Sequence, residues 1–330
     1  MNKPFDGTYS DETSTGSRCD AFRGIGRASI AARTEDPSGF EWVRALKRDH
    51  FPDKVELKAP LVLAVMGTNN LVRKQVLDNV SSATIVIVDI SEHYRRLLTR
   101  ICEMTGNPPP TRGEALSHAL ERATSREFAR AYVVRLREGT IESTAVPKIE
   151  TMLRDLLQEA GSGAVDRQLF VNREDLRTMS GQEFEQFVAR LSDTFADALA
   201  PERQEAAISA AQRTKRILTP GYLGFVTLGQ TISVDRHFDR GFQSSFKELT
   251  RVHDRVLRSL EGVKESFFVS TLHGGTLQQH DSAQLLGIQA ADIAARIAAD
   301  EYERFPDDRS AGVAAVKKRF GRVFLNDGWV

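Results

Sequence analysis

Residues Ala83–Ser91 read "ATIVIVDIS". A short, unbroken run of Ile and Val that closes on an aspartate is the pattern of a strand buried on both faces. Strands of that kind sit in sheets covered by helices, so the run sets the class as α/β. Working outward, "NLVRKQVLDNV" (Asn70–Val80) is amphipathic with helical spacing. "SGFEWVRALKRDHF" (Ser38–Phe51) places Phe40, Val43 and Leu46 along one helical stripe. "KVELKAPLVLAV" (Lys54–Val65) reads as a strand or as the entry to a helix. Two short β-like segments open the chain, "GTYSDE" (Gly7–Glu12) and "GRASIAAR" (Gly26–Arg33), with "FRGIGRAS" turning between them.

From Glu92 to Arg216 the pattern is Arg- and Glu-rich and helical, broken by loops at "GNPPPTRG" and "GSGAVD". Strand-like text resumes in "GYLGFVTLGQTISVD" (Gly221–Asp235). A helix, "SSFKELTRVHDRVLRSLEG", a strand, "ESFFVSTL", and a last helix, "HDSAQLLGIQAADIAARIAADEYE" (His280–Glu303), follow it. The expected organisation is a core of residues 1–91 and 217–330 with a helical insertion or cap over 92–216.

The totals bound the function classes. Lys+Arg and Asp+Glu are both 45, so overall charge does not advertise nucleic-acid binding, although a local basic groove is compatible with it. Cys19 and Cys102 are too few for a disulfide framework or a Cys-based zinc site, and a reducing cytoplasm fits. The polar N-terminus has no signal-peptide pattern, and the longest apolar run, "APLVLAVMG", is too short to span a bilayer.

The chemistry lies in the carboxylates. Gln289, Asp292 and Arg296 fall at i, i+3 and i+7, one polar line on an apolar helix. Either the line faces solvent and Asp292 pairs with Arg296, or it faces a site, where a buried carboxylate needs a metal, a donor or a proton. In "TYSDETS", Asp11 is the candidate ligand; Glu12, its neighbour, points to the other face of a continuing strand. A plain turn accounts for the same text. Glu56 and Lys58 share one face of an extended segment, as a surface ion pair or as a ligand beside a phosphate contact. Asp235 ends "TISVD", ahead of Arg236, His237, Asp239 and Arg240, and Asp89 ends "TIVIVD"; each is a ligand or a helix cap. His273 and His280 fall in the stretch "LHGGTLQQHDS", which reads as a plain loop, with binding of a metal or a substrate phosphate as the alternative. Three or four such carboxylates converging from strand ends and a helix can hold two Mg²⁺ ions, which prefer oxygen ligands and keep waters for substrate phosphates.

The order of these pieces resembles the family called domain of unknown function 3800, on "SDET" (Ser10–Thr13), "ELK" (Glu56–Lys58) and "DSAQLLGIQAAD" (Asp281–Asp292), with Asp235 and Asp89 at matching strand ends. Thr13 and Ile288 depart mildly from that family's Ser and Leu, and the resemblance covers the two ends of the chain. It implies an RNase H-like mixed sheet flanked by helices and a Mg²⁺- or Mn²⁺-dependent nuclease acting on DNA or RNA, in defence or mobile-element biology. Asp11, Glu56, Asp235 and Asp292 would hold metal. Glu12, Lys58, Asp89 and Gln289 would lie at the substrate or behind the ligands, with Gln289 orienting Asp292 and the helical insertion choosing the substrate or a protein partner. Two further readings stand beside it: a binding or regulatory module whose helical part engages a partner, and an α/β enzyme on a small phosphate that uses Asp89.

Overall fold

The computed structural model of the chain describes residues 7–20, 26–36, 38–111, 113–142, 144–160, 173–198, 235–239 and 277–326. The chain divides into two compact units. Met1–Ser17, Ala28–Asp89 and Thr214–Asp327 form one; Arg18–Arg27, Ile90–Arg213 and Gly328–Val330 form the other.

The first unit is α/β, with a mixed sheet of six strands flanked by helices. Its strands are β1 (Gly7–Ser14), β2 (Ala28–Thr34), β3 (Thr84–Asp89), β4 (Asp235–Asp239), β5 (Leu277–His280) and β6 (Arg322–Asn326), in the order β5-β4-β1-β2-β3-β6. β1, β2 and β3 form an antiparallel meander in which Tyr9 faces Thr34 and Ala28 faces Asp89. β4 adds to β1 in parallel, with Gly7 beside Asp235 and Ser10 beside Phe238. β5 adds to β4 in parallel, ending with Asp239 beside His280. β6 runs parallel to β3 at the far edge. All seven residues of β2 and all six of β3 are buried, which is why β3 reads as a continuous apolar run.

The helices of this unit are α1 (Glu41–His50), α2 (Ala59–Thr68), α3 (Asn70–Val80), α10 (Leu286–Glu303) and α11 (Arg309–Arg319). α10 lies on β1 and β2. It can do so because its inner face is small. Ala290, Ala291, Ala294, Ala295, Ala298 and Ala299 are buried, and Ile288, Ile293 and Ile297 fill the space between. Each buried Ile contributes roughly 1.5–3 kcal/mol relative to exposure. The closest approach is at Gly287, where a Cβ would stand 2.2 Å from the Tyr9 ring. Thr34 Oγ1 donates to the Gly287 carbonyl across the same gap, at 3.0 Å. α3 is capped by Asn69, whose side chain accepts from the N–H groups of Leu71 and Val72, and α11 by Asp308, which accepts from Ala311.

The second unit carries α4 (Ile90–Thr105), α5 (Leu116–Ala123), α6 (Arg126–Glu138), α7 (Val146–Ala160), α8 (Arg173–Thr178) and α9 (Gly181–Ala198). α4 buries Tyr94, Leu97, Leu98, Ile101 and Cys102, a stripe at helical spacing, and packs on α5, α6 and α7. α6 starts at a Ser125 cap and stops at Gly139, whose φ of 77° is left-handed.

Several expectations change. Of the two readings of "KVELKAPLVLAV", the structure takes the helix entry: Lys54–Lys58 is irregular and the apolar run after it is α2. "LQQH" is strand β5, not loop. The last helix starts at Leu286, five residues after the DSA segment begins at Asp281. α11 and β6 had no counterpart in the sequence reading. The segments Gly221–Val234, Ser244–Gly262, Glu265–Leu272 and "GSGAVD" lie outside the described residues, as does His273. Among the described residues no helix is long and apolar enough to cross a membrane.

Gly287 gives the packing a direct test. Gly287→Ala drives a methyl into the Tyr9 ring, and such overpacking costs typically 1–3 kcal/mol. A urea titration followed by circular dichroism should show a lower midpoint and an unfolding free energy lower by that amount.

Candidate carboxylate site

β1 and β4 set the first two side chains by register. Their pairing ends at Ser10 and Phe238, so the next residues, Asp11 within β1 and Asp239 at the C-terminal end of β4, stand side by side. Asp11 shares the face of Tyr9, the face on which α10 lies, and is 8% exposed. α10 brings Asp292 to the same place.

Asp292 does not pair with Arg296. Arg296 turns instead to Asp300 at 3.0 Å, one turn further on. Asp292 Oδ2 accepts the backbone N–H of Ala59, the first residue of α2, at 2.9 Å. Lys58 caps nothing with its own side chain, so this carboxylate serves the positive end of α2. One turn earlier on α10, Gln289 is almost wholly buried. Its Oε1 accepts from Leu57 N–H at 3.0 Å and its Nε2 donates to the Ser282 carbonyl at 2.8 Å. Gln289 therefore anchors the "ELK" segment, where the sequence had it orienting Asp292. Leu57 is buried between Glu56 and Lys58, so those two side chains do share one side, although the backbone there belongs to no sheet. Lys58 Nζ meets Glu56 Oε1 at 2.6 Å, and Ser282 Oγ donates to the same oxygen.

The electrostatics tie these groups together. Burial, then the charge of Asp292, holds the Asp11 carboxyl well above the usual carboxylate range; Asp239 adds to this, and the Glu12 N–H, donating to Asp11 Oδ1 at 2.8 Å, opposes it. Burial and the Asp11 charge push Glu12 up in the same way. The two neighbouring carboxyls each disfavour the other's charge. Glu12 thus belongs with Asp11, contrary to the expectation from strand alternation. Among the described residues, the β4-side pairing of β1 ends at Ser10. Burial raises Asp292, the Ala59 N–H and Lys58 lower it, and Glu56 and Asp239 raise it again. Burial pulls the Lys58 ammonium down, but Glu56, Asp292 and Asp239 outweigh it and hold the group above its ordinary value. Among the described residues of this cluster, Lys58 alone offsets the carboxyls of Asp11, Glu12, Glu56, Asp239 and Asp292.

Two expected members stand elsewhere. Asp235 opens β4 and Asp239 closes it, so Asp235 is four residues, about 13 Å, from the cluster. The sequence reading ended the strand where it begins. Asp89 is buried at the end of β3 and accepts from the Tyr302 hydroxyl at 2.8 Å, with Arg309 Nε at 3.2 Å. By register it is two strands and four residues from Asp11, roughly 16 Å. Its partners are structural: it ties β3 to α10 and to the start of α11.

Four residues stood outside the ligand set expected from the sequence. Asp239 and His237 alternate with buried Phe238 in "RHFD", a period-2 signal overridden by the charges around it. His280, at the end of β5, stands beside Asp239. Ser282, buried, holds Glu56.

The donor set is almost all oxygen, and its like charges are crowded against one ammonium. That chemistry fits a hard divalent cation such as Mg²⁺ or Mn²⁺. Among the described residues, no three or more His, Cys, Asp or Glu side chains stand together so that they could hold a metal ion. No family model, curated protein or solved structure matches the chain.

The raised carboxyls make stability fall with pH. Folded Asp11, Glu12 and Asp292 hold protons that the unfolded chain releases above about pH 4, so the native state binds more protons and each further pH unit weakens it. Asp292→Asn keeps an oxygen for the Ala59 N–H and removes one charge. Thermal melts in the presence of a chelator should show a Tm that drops from acidic to neutral pH in the wild type and drops less in this variant. A Tm that rises through that window would contradict the raised carboxyls.

Proposed function

We propose that this chain is a divalent-cation-dependent nuclease with an RNase H-like core, cutting phosphodiester bonds of DNA or RNA. The observation that carries the reading is the inward turn of Asp292, which faces α2, Lys58 and Asp239 while Arg296 pairs elsewhere. A mixed sheet with a β1–β3 meander extended by two parallel strands supports an RNase H-like core. The three motifs that resemble domain of unknown function 3800 supply Asp11, Glu56 and Asp292, which meet in one electrostatic cluster.

Asp11, Asp239 and Asp292 would hold the cation, with Glu56 beside Asp292. Bound there, a pair of such ions supplies an activated water and stabilises the leaving oxygen. The residues of the chain do the rest. Asp292 Oδ2 is fixed by the Ala59 N–H, and the carboxylate lies within electrostatic reach of Asp11 and Asp239. Glu56 and Ser282 hold the Lys58 ammonium at the open side, half exposed, where it can steady a phosphate oxygen. Gln289 keeps that segment from moving relative to α10.

A non-catalytic binding or regulatory module, with the helical unit engaging a protein partner, is the second reading. The lack, among the described residues, of a three-ligand group that could hold a metal ion favours it.

The two separate on cleavage of mixed DNA and RNA oligonucleotides with Mn²⁺ or Mg²⁺. The wild type should cut, and Asp239→Asn and Asp292→Asn should each lose roughly a hundredfold or more, the rate equivalent of several kcal/mol of charge stabilisation. Asp235→Asn should stay within a few-fold of wild type. Wild-type protein that cuts nothing with either ion favours the module, and full activity in Asp239→Asn removes that residue from the site.

A further inference from the structure

Side chains of α2, α3, α11 and the last turns of α10 line a cavity of about 180 Å³. It stands at Asp300 and Glu301, about 12 Å along α10 from Asp292, and shares no residue with the carboxylate cluster. Buried Met66 and Ile297 and half-buried Leu63 and Leu77 make its apolar lining. An apolar cavity of about 150 Å³ takes a benzene ring, so the space here fits one ring or a short chain.

The polar part of the lining is cationic. Arg73, Arg304 and Arg319 all reach the cavity. The two lining carboxylates are already engaged. Asp300 takes Arg296 at 3.0 Å, and buried Glu301 takes Arg304 Nη1 at 2.8 Å and Arg319 Nη2 at 3.5 Å. One carboxylate therefore steadies two guanidiniums, each of which carries more N–H donors than Glu301 can use. Arg319 Nε has no acceptor, and Arg73 has no hydrogen bond or ion pair among the described residues. A planar guanidinium fork with donors to spare matches a carboxylate or a phosphate.

Gly67 adds an independent observation. It lies within α2, its φ is not positive, and a Cβ there would meet nothing within 4 Å. Neither backbone conformation nor packing calls for glycine, which weakens a helix relative to alanine. Gly67 lines the cavity, and the missing side chain leaves it open.

We propose that this cavity binds a small amphipathic anion, a carboxylate or phosphate carried on a single ring or short chain. The apolar body would lie against Met66 and Ile297, and Arg73, Arg304 and Arg319 would take the charge. The site stands or falls separately from the cation-dependent reading above.

Methyl NMR of the full chain, labelled at methionine and with the Met66 signal assigned from Met66→Leu, reads the cavity directly. The probes are benzoate, phenyl phosphate, benzyl alcohol, which lacks the charge, and inorganic phosphate, which lacks the ring. Benzoate or phenyl phosphate should shift the Met66 methyl saturably, and the tighter of the two tells a carboxylate site from a phosphate site. Benzyl alcohol should bind on the order of tenfold more weakly, and inorganic phosphate should leave the signal in place. Arg73→Gln changes an exposed side chain, should keep the fold, and should weaken the anions on the order of tenfold. Gly67→Leu, built into open space, should fold and abolish the shift. No saturable shift with either anion overturns the proposal. Benzyl alcohol binding as tightly as benzoate, or wild-type affinity in Arg73→Gln, overturns it too. The wild-type titrations decide even if a variant fails to fold.

Discussion

Two hydrogen bonds, one helical turn apart, organise the open end of the sheet. Gln289 takes the N–H of Leu57 and Asp292 takes the N–H of Ala59. Together they dock the segment Glu56–Ala59 onto α10. α10 is itself seated on β1 and β2 through Gly287 and its alanines. The start of α2, the Glu56–Lys58 pair and the ends of β1 and β4 are therefore positioned by one helix. Each bond satisfies a backbone donor that would otherwise be short of a partner, at a helix start or beside a buried Leu. A neutral group would satisfy the Ala59 N–H as well. The charge of Asp292 does something more, because it adds to a crowd of carboxyls that burial and mutual repulsion already keep reluctant to ionise.

That crowding runs against ordinary folding logic. A protein selected only for stability would replace some of these carboxyls, since like charges near one another in a poorly solvated place disfavour the native state. The molecule keeps several of them within mutual influence and gives them one lysine. Local rules broken in one place and obeyed elsewhere mark a site that serves something other than the fold.

Much of the frame was readable from residues. The run at Ile85–Val88 became the buried strand β3, and "NLVRKQVLDNV" became α3 end to end. These are elements whose own pattern is strong. β4 and β5 were not readable. "DRHFD" and "LQQH" contain a single Phe and a single Leu between them, and they are strands because β1 offers β4 an edge and β4 offers one to β5. With the end of β4 misread, Asp235 took the place that belongs to Asp239. Asp89 was ambiguous for a different reason. Its partners, Tyr302 and Arg309, lie more than two hundred residues downstream, and no local pattern announces them. The polar line Gln289–Asp292–Arg296 was read correctly as a line, but its neighbours change along it. Arg296 lies about 10 Å beyond Gln289 along the helix, past the segment that the first two residues hold.

Asp292 and Asp239 differ in how much else depends on them. Asp292 carries a backbone donor of α2, so a lineage that lost catalysis would still lose stability by changing it. Asp239 has no hydrogen-bond partner for its carboxylate among the described residues, and its neighbours are mainly like charges. If the proposed activity holds and its selection were lost, nothing visible among the described residues would retain Asp239, and replacing it would relieve repulsion. In a set of descendants of this chain, Asp292 would persist in working and idle copies alike. Asp239 would be the position whose identity sorts one from the other.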